Sequence, residues 1–262
     1  MSHISFSELK VWNECPYKHK LQYIDKIKVF TSTEYTCFGT AIHETCEKSL
    51  LNEIREDQLD EYFENKFKQE ISIIKDQVEI NEVLVFDMVA QGKAILSELY
   101  KSIKAYLGEY EVVSTEESLF ERIQKIDFEY DFKGFIDLVL KTPDGKIHII
   151  DWKTCSWGWN QEKKSDPMVT YQLTYYKHFY AQKHNVDPKM IETHFALLKR
   201  TAKKDRIEFF RVSSGNKKTE NANNLLTKAI TAIKNNKQIK NRLSCNGCEF
   251  YKTDFCKWVI NE

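Results

Sequence analysis

Between residues 111 and 154 apolar side chains alternate with polar ones or gather in short β-branched and aromatic runs. A period near two predicts strands at about 111–121, 126–132, 133–141 and 146–153. Earlier segments read differently. Ser5-Phe-Ser-Glu8 fits a capping box, with Ser5 as N-cap and Glu8 three residues on, and the helix it opens ends near Cys15-Pro16. Pro16 can start a second helix, to about residue 23. Helical spacing then covers 39–51, which contains His43, and two long polar helices at about 57–75 and 82–108. Asp166-Pro167 pairs an N-cap with a first helical residue and opens a helix to about residue 184. Strands fit 191–199 and 206–212, and an Asn- and Lys-rich helix fits 215–236.

This order predicts an α/β protein in which a mixed central sheet is flanked by helices and preceded by a helical N-terminal arm. We read one domain over 1–262, with a mainly helical arm at 1–110, an α/β core at 111–212, and a helix plus Cys-rich segment at 213–262. An apolar fraction of 42% with 13% aromatics supports a packed core, and eight Gly and four Pro leave little room for long linkers.

Residues 132–153 are the most informative stretch. Thr142-Pro-Asp-Gly145 carries turn chemistry, Pro second and Gly ready for a left-handed backbone. A three-residue hairpin loop with a Gly bulge would pair Thr142 with Lys146 and set Asp137 opposite Asp151; a two-residue loop would shift that register by one. Like charges across a hairpin repel. A divalent cation between them would turn repulsion into ligation, and hard oxygen donors favour Mg²⁺ or Mn²⁺. Lys153, two residues past Asp151, shares its face and could position an attacking water and steady charge on a phosphate. An Asp-x-Lys pair on a strand surface is the plain alternative.

Other features narrow the class. His43-Glu-Thr-Cys-Glu47 lacks the second histidine of a zinc protease helix. The His-x-Glu and Pro-Cys-x-x-Cys parts of a zinc deaminase are missing, as is a Gly-rich phosphate loop. The start of the chain has no charged region followed by an apolar run, and no stretch approaches the roughly 18 apolar residues of a membrane span. The expected location is the cytoplasm, where the seven cysteines read as metal ligands or buried thiols rather than disulfides. With 39 basic and 39 acidic side chains the net charge is zero, which argues against nucleic-acid binding as a bulk property. Basic runs at 199–206 and 234–242 are local exceptions, equally readable as solvated faces. Cys245-Asn-Gly-Cys248 with Cys256 offers three soft ligands in a turn-rich segment, while Cys37, Cys46 and Cys155 have no such spacing and read as core residues.

These motifs resemble the PD-(D/E)XK nuclease superfamily, whose core is restriction-endonuclease-like, and within it the RecB-like branch that holds AddB-type nuclease domains and the iron–sulfur exonucleases of CRISPR adaptation. Ser5-Phe-Ser-Glu-Leu with Cys15-Pro-Tyr is similar to the branch's N-terminal signature, and Phe38-Gly-Thr-Ala-Ile-His43 to its histidine motif. Gly134-Phe-Ile-Asp137, Ile150-Asp-Trp-Lys153 and Gln172-Leu-Thr-Tyr-Tyr176 follow in the branch's order. The resemblance implies catalytic roles for Asp137, Asp151, Lys153, Gln172 and Tyr176, and metal ligation by His43, Asp137, Asp151 and the Trp152 carbonyl. Glu117 is aligned with a family glutamate. The resemblance further implies that Cys15 joins Cys245, Cys248 and Cys256 in holding a [4Fe–4S] cluster that staples the N-terminal arm to the Cys-rich C-terminus, with Zn²⁺ as the competing occupant. The gap between Cys248 and Cys256 is longer than the branch leads one to expect.

The implied activity is metal-dependent DNA cleavage, first as a single-strand exonuclease acting on ends in recombination, repair or processing. A structure-selective endonuclease and a non-catalytic iron–sulfur nucleic-acid-binding module of a larger assembly stay open. The expected partners are DNA, single-stranded or with free ends, and a helicase or recombination protein, with no membrane. The Asn-, Lys- and Ile-rich composition would also suit a virus, which would make the location the host cytoplasm.

Overall fold

The protein is described here from a computed structural model covering residues 2–27, 32–124 and 126–257. Residues 258–262 of the Cys-rich segment lie outside the described residues. The chain forms two compact units interleaved in sequence. One comprises 1–30, 120–134 and 216–262, and the other 31–119 and 135–215.

In the larger unit, α3 (Glu34–Leu50), α4 (Leu59–Ile74), α5 (Glu82–Leu96) and α6 (Leu99–Leu107) precede β2 (Glu111–Arg122), and β3 (Asp131–Lys141), β4 (Ile147–Cys155), α7 (Gln161–Ser165), α8 (Pro167–His184), β5 (Ile191–Lys199) and β6 (Ile207–Val212) follow. The unit boundary falls inside β2 and β3. The strand order is β3-β4-β5-β6, with β2 also pairing β3. β3 and β4 are antiparallel, β4 and β5 parallel, and β5 and β6 antiparallel, so the sheet is mixed as expected. Parallel β4 and β5 need a crossover, and α8 supplies it. Asp166 caps that helix by accepting the Met168 N–H at 2.8 Å.

Strand alternation divides the sheet's side chains. Ile150, Trp152, Ala196 and Leu198 enter a core with Phe38, Ile42, Phe63, Phe67 and Ile95 from the helices before the sheet. Phe38 meets Phe63 and Phe67 edge-on at centroid distances of 5.6 and 5.8 Å. Residues of the opposite parity, Asp151 and Lys153, point away from that core.

The smaller unit holds β1 (His3–Ser5), α1 (Phe6–Glu14), α2 (Pro16–His19) with a wider π-helical turn at Lys20–Ile24, and α9 (Asn216–Lys234). β1 runs parallel to the start of β3, Ile4 beside Phe132. The Ser5 side chain accepts the Glu8 N–H at 3.1 Å, but Glu8 does not return to the cap: its carboxylate meets His19 Nε2 at 2.8 Å.

Two readings of the sequence are corrected. The expected helix at 82–108 is two helices. Its break falls at Ser97-Glu98, where the Glu98 carboxylate accepts the Arg206 N–H at 2.8 Å, a long-range bond that local periodicity does not encode. The expected strands at 126–132 and 133–141 are one strand beginning at Asp131. Residues 126–130 form a bend closed by the Ile123 N–H donating to the Tyr130 carbonyl at 3.0 Å.

Gly92 on α5 is a steric requirement. A Cβ there would lie 2.1 Å from Phe63 Cε1 on α4. Alanine ordinarily favours a helix over glycine by about 1 kcal/mol, yet overpacking costs about 1–3 kcal/mol. We expect Gly92→Ala to lower the urea midpoint with m unchanged. A raised midpoint would show that α4 and α5 separate freely.

Candidate active site

The hairpin that carries the site has the expected register. The Thr142 N–H donates to the Lys146 carbonyl at 3.1 Å, the Gly145 N–H returns to the Thr142 carbonyl at 2.9 Å, and Gly145 takes φ 82°. Lys141 pairs with Ile147 and Leu138 with Ile150, so the next step of the ladder sets Asp137 across from Asp151.

Asp137 Oδ2 accepts the Trp152 N–H at 2.7 Å and lies 3.9 Å from His43 Nδ1 on α3. Asp151 is 1% exposed, and its Oδ1 accepts from Gln172 Nε2 at 2.8 Å. Gln172 also donates to the Tyr176 hydroxyl at 3.1 Å, so the two α8 residues, one turn apart, form a brace behind Asp151. Asp151 Oδ2 lies 2.6 Å from Lys153 Nζ but has no well-formed hydrogen bond among the described residues. The contact is a close ion pair between the buried carboxylate and the ammonium. Trp152 is fully buried, and its indole N–H lacks a hydrogen-bond partner among the described residues.

Burial dominates the electrostatics. It pushes Asp137 and Asp151 up to about 6 from the ordinary carboxylate value, against the opposing pull of Lys153. Burial alone would depress Lys153, but Asp151 and Asp137 outweigh it and hold its charge. His43 falls to about 4, through burial and then through Lys153, so its imidazole is neutral near pH 7 with a lone pair to offer. Tyr176 is held as a neutral phenol, again by burial first and by Asp151 second.

Two further acids belong to this group and were not among the expected site residues. Glu47 lies one turn after His43 on α3, and burial together with Glu116 raises it to about 9. Burial and the neighbouring Glu116 carboxyl thus favour retention of a proton by this pair of acids. Glu116 on β2 also acts on Asp137 and His43. Glu117, the residue aligned from sequence, instead faces α8, where Lys183 Nζ and His184 Nε2 lie 2.5 and 2.9 Å from its Oε1. The cause is local. Glu116 takes φ 47° within the strand, and the alternation of exposure along β2 changes phase just before it, as at a bulge. The available sequence signal was Glu47 at four residues from His43, on the same helix face.

The donor set, two carboxylates and a neutral imidazole, suits a hard divalent cation, and Asp151 Oδ2, whose partner is the mobile end of a lysine, is the oxygen that could turn to it. Among the described residues, His43, Asp137 and Asp151 do not bring three ligand atoms within 4.8 Å of one another, so ligation needs a modest closing of side chains.

In the smaller unit Cys15, Cys245, Cys248 and Cys256 line one cavity of about 270 Å³. The Asn241 N–H donates to Cys15 Sγ at 3.3 Å, and the Cys248 N–H closes a turn onto the Cys245 carbonyl at 3.1 Å. No three of these sulfurs lie within 4.8 Å of one another. Tetrahedral zinc with bonds of about 2.3 Å needs sulfurs only about 3.8 Å apart, whereas a cluster holds them wider. Cys37 and Cys46 are buried in the larger unit's core, as read from sequence, and Cys155 is half-buried.

A carboxylate–lysine cluster at a hairpin in a mixed α/β sheet defines a class of hydrolytic nucleases. The chain belongs to that class: a family model for the PD-(D/E)XK nuclease superfamily matches residues 3–253. The fold agrees with a restriction-endonuclease-like core. A crystal structure of a protein from Eubacterium rectale, provisionally assigned as an exonuclease, superposes at TM-score 0.60 and 12% identity, covering 98% of this chain and 90% of that one. A second solved structure, SSO0001, aligns at TM-score 0.44 and 13% identity over 95% of this chain and 84% of its own. No curated protein matches the chain. No helix among the described residues is long and apolar enough to cross a membrane.

The raised carboxyls make a pH prediction. Between about pH 4 and 6 the folded protein binds more protons than the unfolded chain, so this stabilisation is complete below about 4 and is lost as pH rises through about 6. The interval corresponds to roughly 3 kcal/mol per carboxyl at most. In EDTA, Asp137→Asn should gain stability over wild type between pH 4 and 7.5 by up to that amount, read from paired denaturant midpoints. A difference independent of pH would contradict it.

Proposed function

We propose that the protein is a Mg²⁺- or Mn²⁺-dependent DNA nuclease of the RecB-like branch, a single-strand exonuclease working on DNA ends during recombination, repair or processing. The observation that carries this reading is Asp151, buried, braced by Gln172, ion-paired with Lys153 and set beside Asp137. His43, Asp137, Asp151 and the Trp152 carbonyl would hold the cation. Bound there, it would withdraw charge from the scissile phosphate and acidify the attacking water.

The remaining work falls to the chain. Lys153 is kept cationic by its two carboxylates and would stabilise negative charge on the phosphate as one P–O bond forms and the other breaks. Gln172 fixes the plane of the Asp151 carboxyl, and Tyr176 fixes Gln172. A single strand as substrate is supported by two tryptophans near the site. Trp159 is half-buried, packs at 5.2 Å on the buried Phe195 beside Lys153 and has Lys163 4.5 Å over its ring, and Trp157 is 73% exposed. Unpaired bases stack on such groups regardless of sequence.

The cysteine cavity supports a [4Fe–4S] cluster held by Cys15, Cys245, Cys248 and Cys256, with a structural role. A helicase or recombination protein would supply the single strand, in the cytoplasm.

End-labelled single- and double-stranded DNA incubated with Mn²⁺, Mg²⁺ or EDTA tests the activity. Asp151→Ala and Lys153→Ala should each lose about 10³-fold in rate or more, and the label pattern separates end-directed from internal cutting. Equal inertness of wild type and both variants, with DNA still bound, would leave a binding module in place of an enzyme. Iron and acid-labile sulfide analysis of anaerobically purified protein should give about four of each per chain, and Cys248→Ser should lose them. Zinc in their place would assign the cavity to a Cys₄ zinc site.

A further inference from the structure

The face of the sheet opposite Asp151 and Lys153 carries a second cluster. His148 on β4 neighbours Glu192 on β5, and His194 follows Glu192 on the same face. His148 and Asp151 are three residues apart, so they point to opposite faces, roughly 10 Å apart along the strand. His148 Nδ1 and His194 Nε2 lie 3.1 Å apart, and one ligand atom from each of His148, Glu192 and His194 falls within 4.8 Å of the other two. Both histidines are buried.

The outer ring nitrogens are engaged. Thr142 Oγ1 lies 3.0 Å from His148 Nε2, and the Tyr106 hydroxyl 3.0 Å from His194 Nδ1. Thr142 donates its hydroxyl proton to Asp144 Oδ1 at 2.5 Å, so His148 Nε2 must be the donor to Thr142. That leaves the His148 Nδ1 lone pair facing His194. A single tautomer shift in His194, with Nδ1–H then donating to Tyr106, turns both facing nitrogens into bare lone pairs. No net proton leaves the pair. Burial lowers the proton affinity of both rings, so both are neutral near pH 7.

We propose that His148, Glu192 and His194 form a second metal site for one first-row divalent transition ion, with zinc as the chemical fit. Two imidazoles and a carboxylate are a zinc donor set, and tetrahedral zinc with Zn–N bonds near 2.05 Å places its nitrogens about 3.3 Å apart. Each imidazole already has the outer hydrogen bond that orients a ligating histidine. The cleft beside them, lined in part by Tyr106, Thr142 and Lys146, leaves a fourth position open to water. Lys146 and Arg211 compete, each 3.3 Å from Glu192 Oε1. Both are half exposed, and Lys146 has Asp144 as a second partner at 3.5 Å, so both can yield. The ion would tie β4 to β5 and, through Tyr106, the end of α6 to the sheet.

Zinc bound per full-length chain after equilibrium dialysis separates this site from the other two. Wild type should hold one ion more than His194→Gln or Glu192→Gln, and saturating zinc should raise the wild-type thermal midpoint above theirs by about 5 °C. If the variants do not fold, zinc-edge anomalous diffraction from wild-type crystals decides, with a peak expected about 2.0–2.2 Å from His148 Nδ1 and His194 Nε2. Equal zinc content in wild type and variants, or anomalous peaks confined to the cysteines and the Asp137–Asp151 cluster, would overturn the proposal.

Discussion

The constraint on which the site depends is the register of the β3–β4 hairpin, which forces two carboxylates toward each other in a place from which water is largely excluded. Gly145 closes the loop with a left-handed backbone, Thr142 locks onto Lys146, and every later pair in the ladder follows. Placing Asp137 across from Asp151 is unfavourable in itself. The fold offsets the repulsion with the Trp152 N–H, the Gln172 amide and the Lys153 ammonium. A pair of buried carboxylates held against their own repulsion is the kind of strain that functional sites retain.

The precision of the arrangement comes from what lies behind it. Trp152, between Asp151 and Lys153, is buried among the helices that precede the sheet, so the strand cannot slip without expelling an indole from the core. On the other side α8 presents Gln172 and Tyr176 one turn apart, and Tyr176 is nearly inaccessible. A carboxylate gripped from both faces is pre-organised, and its orientation need not be set during the reaction.

The same strand has different chemistry on its two faces. Asp151 and Lys153 project toward α8, whereas His148 projects with Ile150 and Trp152 toward the preceding helices and meets its partners on β5. Because side chains alternate with a period of two, one strand can hold a hard, oxygen-rich cluster and a soft, imidazole-rich one without either disturbing the other.

Much of this was legible in the linear chain, because it is governed by short-range rules. The turn from Thr142 to Gly145, the face shared by Asp151 and Lys153, and the cap at Asp166 each depend on residues a few positions apart. The mixed sheet followed from the order of periodicities, and the family from motifs in sequence. What the sequence alone did not give depends on contacts made across long separations. Glu98 breaks a continuous helical pattern because it is drawn to Arg206. Glu116 replaces Glu117 beside Glu47 because the backbone of β2 turns left-handed within a strand that should alternate. His148 and His194 meet only because β4 and β5 align in parallel across the α8 crossover. Local propensity and turn chemistry can be read residue by residue. Register between distant strands, and hence which polar groups end up facing one another, is set by packing of the whole core, which no local window contains.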